Sequence, residues 1–311
     1  MAKTFIFGHQ NPDTDAISSA IIMTDFEQSL GNKEAKAYRL GEVGPETQYA
    51  LDYFKVDAPE LLNEDLTDQE VILVDHNEFQ QSAETIEKAN IKHVVDHHRI
   101  ANFETSAPLY YRAEPVGCTA TILYKMYREE DVEIKPEIAG LMVSAIISDS
   151  LLFKSPTCTK EDKEACEALA IIADVDLEQY GLEMLKAGAS TTDKSAEELL
   201  DMDAKSFNMG DYVTRIGQVN TVDIDEVFDR QDELEKAMLK ASAEEKYDIF
   251  ILLVTDIINS NSKVLVVGSE KDKVAKAFNV SLENDTAFLE GVVSRKKQVV
   301  PPVTDALTEE A

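Results

Sequence analysis

The chain has 311 residues, 60 acidic against 30 basic for a formal charge of −30, and a hydrophobic fraction of 44%. That length exceeds what one hydrophobic core usually supports, so about two domains of roughly 100 to 200 residues each are expected, and the apolar fraction argues against disorder. The charge repels nucleic acid and anionic membranes over most of the surface, so an anionic substrate has to be met by a local basic site, whereas divalent cations are attracted.

In chain order, the first half alternates β-type runs with helical patterns. "TFIF" (4–7), "AKAYRL" (35–40), "VILVD" (71–75) and "IKHVVD" (91–96) read as strands, separated by segments such as "AISSAIIMTDFEQSL" whose apolar residues recur at helical spacing. Repeated βαβ units of this kind predict an α/β domain, a mostly parallel sheet with helices on both faces. From Pro115 to about Lys186 the pattern turns helical, with proline opening "PEIAGLMVSAIISDS" (136–150) and Thr159 placed to cap the next helix. Around "KAGASTTDKS" (186–195) small polar residues replace the periodicity, which marks a linker at 189–194 between domains 1–188 and 195–311. Beyond it the sequence predicts a helix near 195–202, a strand in "DYVTRIGQVN" and one long charged helix over about 225–246. The strands "IFILLVT" and "KVLVVG" follow, then a short helix near 272–278. This is a smaller C-terminal α/β domain.

No N-terminal charged stretch leads into a signal-like apolar segment. The longest unbroken aliphatic or aromatic run, 249–254, is far short of the roughly 20 residues that span a bilayer. A cytoplasmic protein without a membrane segment is expected. Cys118, Cys158 and Cys166 show no CxxC spacing and read as buried or spectator thiols.

The chemistry concentrates at strand ends. All five histidines, His9, His76, His93, His97 and His98, fall in the first 98 residues, and four stand at or just past the end of a predicted strand. Parallel strands gather those ends on one edge, where open α/β sheets bind ligands. His9, Asp13, Asp15, Asp75, Asp96, His97 and His98 therefore meet there, a mixed imidazole and carboxylate set suited to Mn²⁺, Co²⁺ or Fe²⁺. There are more groups than one metal needs, which argues for two metals sharing bridging carboxylates. Asp13 and Asp15 also suit plain helix capping. His93, inside its strand, reads as a packed or surface residue, and the roles of His76 and Asp96 stay open. Asp149 in "IISDS" opposes the dipole of its own helix unless a cation is near, which makes it a further candidate ligand.

"GHQNPDTDAI" (8–17), "VDHNE" (74–78), "VVDHH" (94–98) and "ISDS" (147–150) resemble the DHH phosphoesterase superfamily. "SRKKQ" (294–298) narrows the resemblance to its family II, manganese-dependent inorganic pyrophosphatases, over essentially the whole chain. The resemblance implies two Mn²⁺ per subunit, replaceable by Co²⁺, with additional Mg²⁺ arriving with substrate. His9 and Asp13 would bind the first metal, Asp15 and His97 the second, and Asp75 and Asp149 both. His98, Lys205 of "DAKSF", Arg295 and Lys296 would hold the phosphates as the catalytic and substrate-binding set. A homodimer through the N-terminal domain is also implied.

The charge argument points the same way. A chain this acidic binds a compact polyanion only where metals and clustered cations overturn the local field, and "RKK" supplies that density. The expected reaction is in-line attack on pyrophosphate by a water bridging the two metals, with the active site closed between the two domains. A DHH-type phosphodiesterase or nuclease shares the metal motifs, but this chain has no histidine after His98 and no tryptophan for stacking bases. A short-chain polyphosphatase would use the same clamp. A metal-binding protein without catalysis would have no reason to carry "SRKKQ".

Overall fold

The computed structural model describes residues 3–308 apart from 190 and 193, so part of the expected linker lies outside the described residues. The chain divides into two compact units, 1–188 and 189–311.

The first unit is built in the order β1 (Thr4–Phe7), α1 (Thr14–Ser29), β2 (Ala35–Arg39), α2 (Pro45–Phe54), β3 (Glu60–Leu61), β4 (Glu70–Val74), β5 (Asn90–Asp96), β6 (Tyr110–Ala113), α3 (Thr119–Glu129), α4 (Pro136–Ser150), α5 (Lys160–Ala173) and α6 (Leu177–Ala189). Its six strands lie in the order β3-β2-β1-β4-β5-β6, and every pairing is parallel. The order reverses between β1 and β4, the topological switch point at which such sheets open a crevice beyond their carboxyl ends.

Alternation along the strands sends Phe5, Phe7, Leu73 and Val94 to one face, where they pack with Leu66, Ile86, Phe79 and Phe103. The cover on this face consists of loops and two single 3-10 turns, Phe79–Gln81 and Ile86–Lys88, in place of long α-helices. α4 is buried nearly all round, as expected of a helix that other helices enclose, and α1, α3 and α5 pack about it.

β6 is an edge strand of four residues, too short and too exposed to announce itself in the sequence. At the other end of the helical layer, α4 closes with three successive residues in the left-handed region, Leu151, Leu152 and Phe153. Ser150 fastens this turn: its Oγ donates to the Ile146 carbonyl and accepts from the Phe153 amide.

The second unit comprises α7 (Ala196–Asp201), β7 (Ala204–Met209), β8 (Tyr212–Thr221), α8 (Ile224–Phe228), α9 (Gln231–Glu245), β9 (Ile249–Asp256), β10 (Asn261–Gly268), α10 (Lys271–Phe278), β11 (Thr286–Leu289) and α11 (Val300–Thr308). Its mixed sheet runs β11-β10-β9-β8-β7, with only β8 and β9 parallel. Phe250, Leu252 and Val254 of β9 face α7 and α9, whereas Ile249, Ile251 and Leu253 face α10 and α11.

The single helix expected over 225–246 is broken. Asp223 caps α8, and at Arg230 the backbone leaves helical values (φ −105°, ψ 21°) while its guanidinium donates to the carbonyls of Thr191 and Lys194. β7 and β11 are edge strands that the sequence pattern left unmarked. No helix among the described residues is long and apolar enough to cross a membrane.

The first loop of the sheet depends on a close approach. A Cβ on Gly8 would lie 2.6 Å from Ala16 Cβ and 2.8 Å from its Cα, so only glycine lets β1 deliver the chain this tightly to α1. Gly8→Ala is expected to destabilise the first unit by about 1–3 kcal/mol, measured as a lowered urea midpoint by circular dichroism.

Candidate active site

Three chain crossings at the switch point bring the acidic and imidazole groups together. After β1, Asp13 caps α1: one carboxylate oxygen accepts from the Ala16 amide at 3.0 Å, and the other lies 3.7 Å from His9 Nε2. The cap therefore leaves the second oxygen of the same side chain facing His9. After β4, Asp75 takes the left-handed conformation (φ 59°), which aspartate tolerates better than most residues other than glycine. This turn aims its two oxygens at different partners, Oδ2 at His9 Nε2 (3.4 Å) and Oδ1 at His97 Nε2 (3.3 Å).

After β5, His97 also lies 3.9 Å from Asp149 Oδ2, which comes from the last turn of α4. The ligand atoms of His9, Asp13 and Asp75 lie within 4.8 Å of one another, as do those of Asp15, His97 and Asp149 and those of Asp75, His97 and His98.

The electrostatics of this cluster favour cations. Burial, then the charge of Asp75, pushes the Asp15 carboxyl up; burial, then Asp15 and Asp75, pushes Asp149 well up. Burial opposes charge on the imidazoles, but the facing carboxylates of Asp13 and Asp75 outweigh it at His9 and raise it to about 10. Asp75 raises His97 to about 9 in the same way. In return, His9 and His97 overcome the burial of Asp75 and hold it below the usual carboxylate range. Asp149 Oδ2 is buried and takes no hydrogen bond. An orphaned carboxylate oxygen amid crowded like charges is what a divalent metal satisfies, and the His and Asp donors suit Mn²⁺.

Residues that the sequence did not single out hold this arrangement. The first amides of α3 donate to Asp15, Thr119 N at 2.6 Å and Ala120 N at 3.3 Å, and Ser19 Oγ adds a third bond at 2.6 Å. Thr119 Oγ1 donates to Asp75 Oδ1 at 3.0 Å. Asp162, fully buried, accepts from Gly117 N and Thr121 Oγ1 and so fixes the start of α3. Glu46 accepts from Thr14 and Ser148, each adjacent in sequence or nearly so to a candidate ligand.

The two open assignments close here. Both ring nitrogens of His76 are taken, Nδ1 by the Val74 carbonyl and Nε2 by Ser82 Oγ, so it is no ligand. Asp96 is the partner of His98: its Oδ1 accepts from His98 Nδ1 at 2.9 Å, while Asn77 Nδ2 donates to its other oxygen. His98, about half exposed, is left with Nε2 to offer. His93 lies 3.2 Å from Glu27, away from the cluster. Cys118 and Cys166 are buried and Cys158 half-buried.

In the second unit, Lys205 stands exposed on β7, and Lys296 and Lys297 are exposed on a π-helical turn, Arg295–Val299. Arg295 differs: it is only 8% exposed, and its guanidinium donates to Asp203 and to the Ile216 carbonyl.

Thr119→Val, which deletes the hydroxyl at nearly constant volume, is expected to weaken Mn²⁺ binding by about 10–100-fold, as loss of an outer-shell bond to a ligating carboxylate does. Titration of the chelator-stripped protein followed by electron paramagnetic resonance reads this without any activity assay.

Comparison with known proteins agrees with this architecture. The DHH family, N-terminal domain, matches residues 3–146, and the DHHA2 domain matches residues 182–306. A Staphylococcus saprophyticus protein named "Probable manganese-dependent inorganic pyrophosphatase" is 79% identical over 309 residues, 99% of this chain and 100% of its own length. A Staphylococcus epidermidis protein of the same name is 77% identical over the same shares of the two chains. The crystal structure of a Methanococcus jannaschii "putative family II inorganic pyrophosphatase" superposes with a TM-score of 0.62 at 40% identity, covering 98% of this chain and 100% of that one. With both domains matched and near-full-length relatives above 70% identity, the chain belongs to the family II, manganese-dependent inorganic pyrophosphatases.

Proposed function

We propose that the protein hydrolyses inorganic pyrophosphate to two phosphates at the cluster beyond β1, β4 and β5. The observation that carries this reading is the division of Asp75 between two imidazoles, Oδ2 toward His9 and Oδ1 toward His97, with three further carboxylates supplied by Asp13, Asp15 and Asp149. His9, Asp13 and Asp75 would hold one Mn²⁺ and Asp15, His97 and Asp75 the other, with Asp149 shared; Co²⁺ would substitute. When bound, the metals supply charge neutralisation and an activated water at neutral pH.

The chain's own residues do the rest. His98, oriented through Nδ1 by Asp96, presents Nε2 to the phosphate that leaves. Lys205 and Lys296, with the N–H groups that Arg295 does not spend on Asp203 and Ile216, stabilise charge on the leaving and peripheral oxygens, and a further Mg²⁺ enters with substrate. Hydrolysis on this reading needs the cations of the second unit to engage substrate held by the first, so the reaction depends on closure about the 189–194 linker. The same reading makes the protein a cytoplasmic homodimer joined through its first unit, as the family resemblance implies.

Phosphate release by chelator-stripped protein reconstituted with Mn²⁺, Co²⁺, Zn²⁺ or Mg²⁺ tests the reading, with tripolyphosphate and a dinucleotide as parallel substrates. Release from pyrophosphate is expected to be fastest with Mn²⁺ or Co²⁺. Cleavage of the dinucleotide with pyrophosphate untouched would make the protein a phosphodiesterase instead. Asp149→Ala is expected to lose bound Mn²⁺ and turnover together. Lys296→Ala is expected to keep its Mn²⁺ while kcat/KM for pyrophosphate falls about tenfold or more; unchanged kinetics would remove Lys296 from the clamp.

A further inference from the structure

The three consecutive cations of "SRKKQ" look equivalent in the sequence and are not equivalent in the fold. Among the described residues, no carboxylate lies within ion-pair distance of the ammonium groups of Lys205, Lys296 or Lys297, and all three side chains are exposed. Arg295 is buried, and three of the five donors that a guanidinium carries are engaged. Nη2 donates to Asp203 Oδ1 at 2.8 Å, and Nη1 donates to the carbonyls of Asp203 and Ile216.

Asp203 is two residues before Lys205, and Ile216 is its cross-strand partner in the β7-β8 pair. One guanidinium thus reaches from the turn that bears Lys296 to both sides of the strand pair that bears Lys205.

The rest of the motif is devoted to the same junction. Ser294 Oγ accepts from the Lys297 amide. Gln298 accepts from the amides of Val293 and Ser294 and donates to the Gly291 carbonyl at 2.8 Å. From β8, Gln218 accepts the Arg295 amide at 3.2 Å and donates to the Val293 carbonyl, while its own amide donates to the Asp203 carbonyl at 2.8 Å. Ser294, Gln298 and Gln218 are neutral, however, and only Asp203 meets the buried guanidinium with charge. Its carboxylate is 58% exposed, so it holds Arg295 from the solvent side of the turn.

We propose that Asp203 is a positioning residue of the phosphate clamp: by pairing with Arg295 it fixes the spacing and orientation of Lys296 relative to Lys205. This rests on the reading that those two lysines bind phosphate. The physical reason is entropic and geometric. Two flexible ammonium groups act on one small anion only if their backbones are held in register, and a charge-assisted guanidinium tie across the two segments supplies that register. A carboxylate beside an anion site is otherwise unfavourable, so its place within the clamp calls for a gain that offsets the repulsion.

The test is steady-state kinetics of the Mn²⁺-loaded full-length protein on pyrophosphate, together with calorimetric binding of methylenediphosphonate, a non-hydrolysable diphosphonate. Asp203→Ala is expected to raise KM about tenfold and weaken methylenediphosphonate by a similar factor, with bound Mn²⁺ unchanged and kcat reduced less than KM is raised. Asp203→Asn, which keeps an acceptor of the same size but loses the charge, is expected to place KM between those of Asp203→Ala and wild type. A role confined to stability would lower the unfolding midpoint and leave KM alone.

An unchanged KM in Asp203→Ala overturns the proposal. So does a lowered KM, which would mean that the carboxylate competes with substrate for Arg295. If the alanine variant does not fold, Asp203→Glu keeps the charge but shifts it by one methylene; a raised KM supports positioning and an unaltered one refutes it. Failure of the underlying reading is separately visible, because wild-type protein would then not hydrolyse pyrophosphate, or Lys205→Ala and Lys296→Ala would leave its KM unaltered.

Discussion

The first unit is organised around the carboxylate of Asp75. It sits at the end of β4 in a left-handed turn, fully enclosed, with an imidazole on either side and the Thr119 hydroxyl on one oxygen. An isolated buried carboxylate would be costly, and this one is tolerable because its partners are cationic or donate hydrogen bonds. Asp15 differs: it accepts from the N-terminus of α3 and from Ser19, yet burial and the charge of Asp75 still push its carboxyl up, which leaves it short of positive charge. Parallel strands deliver the charges, and a helix start, a hydroxyl and a cap stabilise them.

How much of this the sequence disclosed follows from what each residue does locally. His9, Asp75 and His97 were legible because they break an apolar run at its end, and a parallel sheet converts that local position into a shared location. Asp149 was legible because a carboxylate at a helix C-terminus contradicts the helix dipole. Thr119, Ser19 and Asp162 were not: each is an ordinary polar residue in an ordinary helical segment, and its partner lies 4 to 104 positions away. β6, β7 and β11 escaped for another reason, since short edge strands lack the buried alternation that marks a central strand.

The break at Arg230 shows the limit of helical periodicity. Residues 224–245 keep a helical pattern throughout, yet the backbone leaves helical values at Arg230, whose guanidinium is engaged by the carbonyls of Thr191 and Lys194, partners too distant in sequence for a local pattern to reveal. "SRKKQ" shows a related limit: charge is visible in a sequence, whereas which charge is already committed is not. His76 made the converse point, a histidine beside a key aspartate whose two nitrogens are both spent on holding the loop.

The left-handed run Leu151–Phe153 bears on any attempt to make this protein more thermostable. Left-handed L-residues cost roughly 1–2 kcal/mol each, so glycine at these positions looks like an easy gain in the folded state. Yet the run begins two residues after Asp149, and Leu152 packs against Gly181 of α6, so the turn holds the end of α4 in one orientation. Glycine would also add backbone freedom to that turn, two residues from the carboxylate of Asp149. Heat resistance gained at that turn would come at the expense of the fixed geometry of the acidic and imidazole cluster.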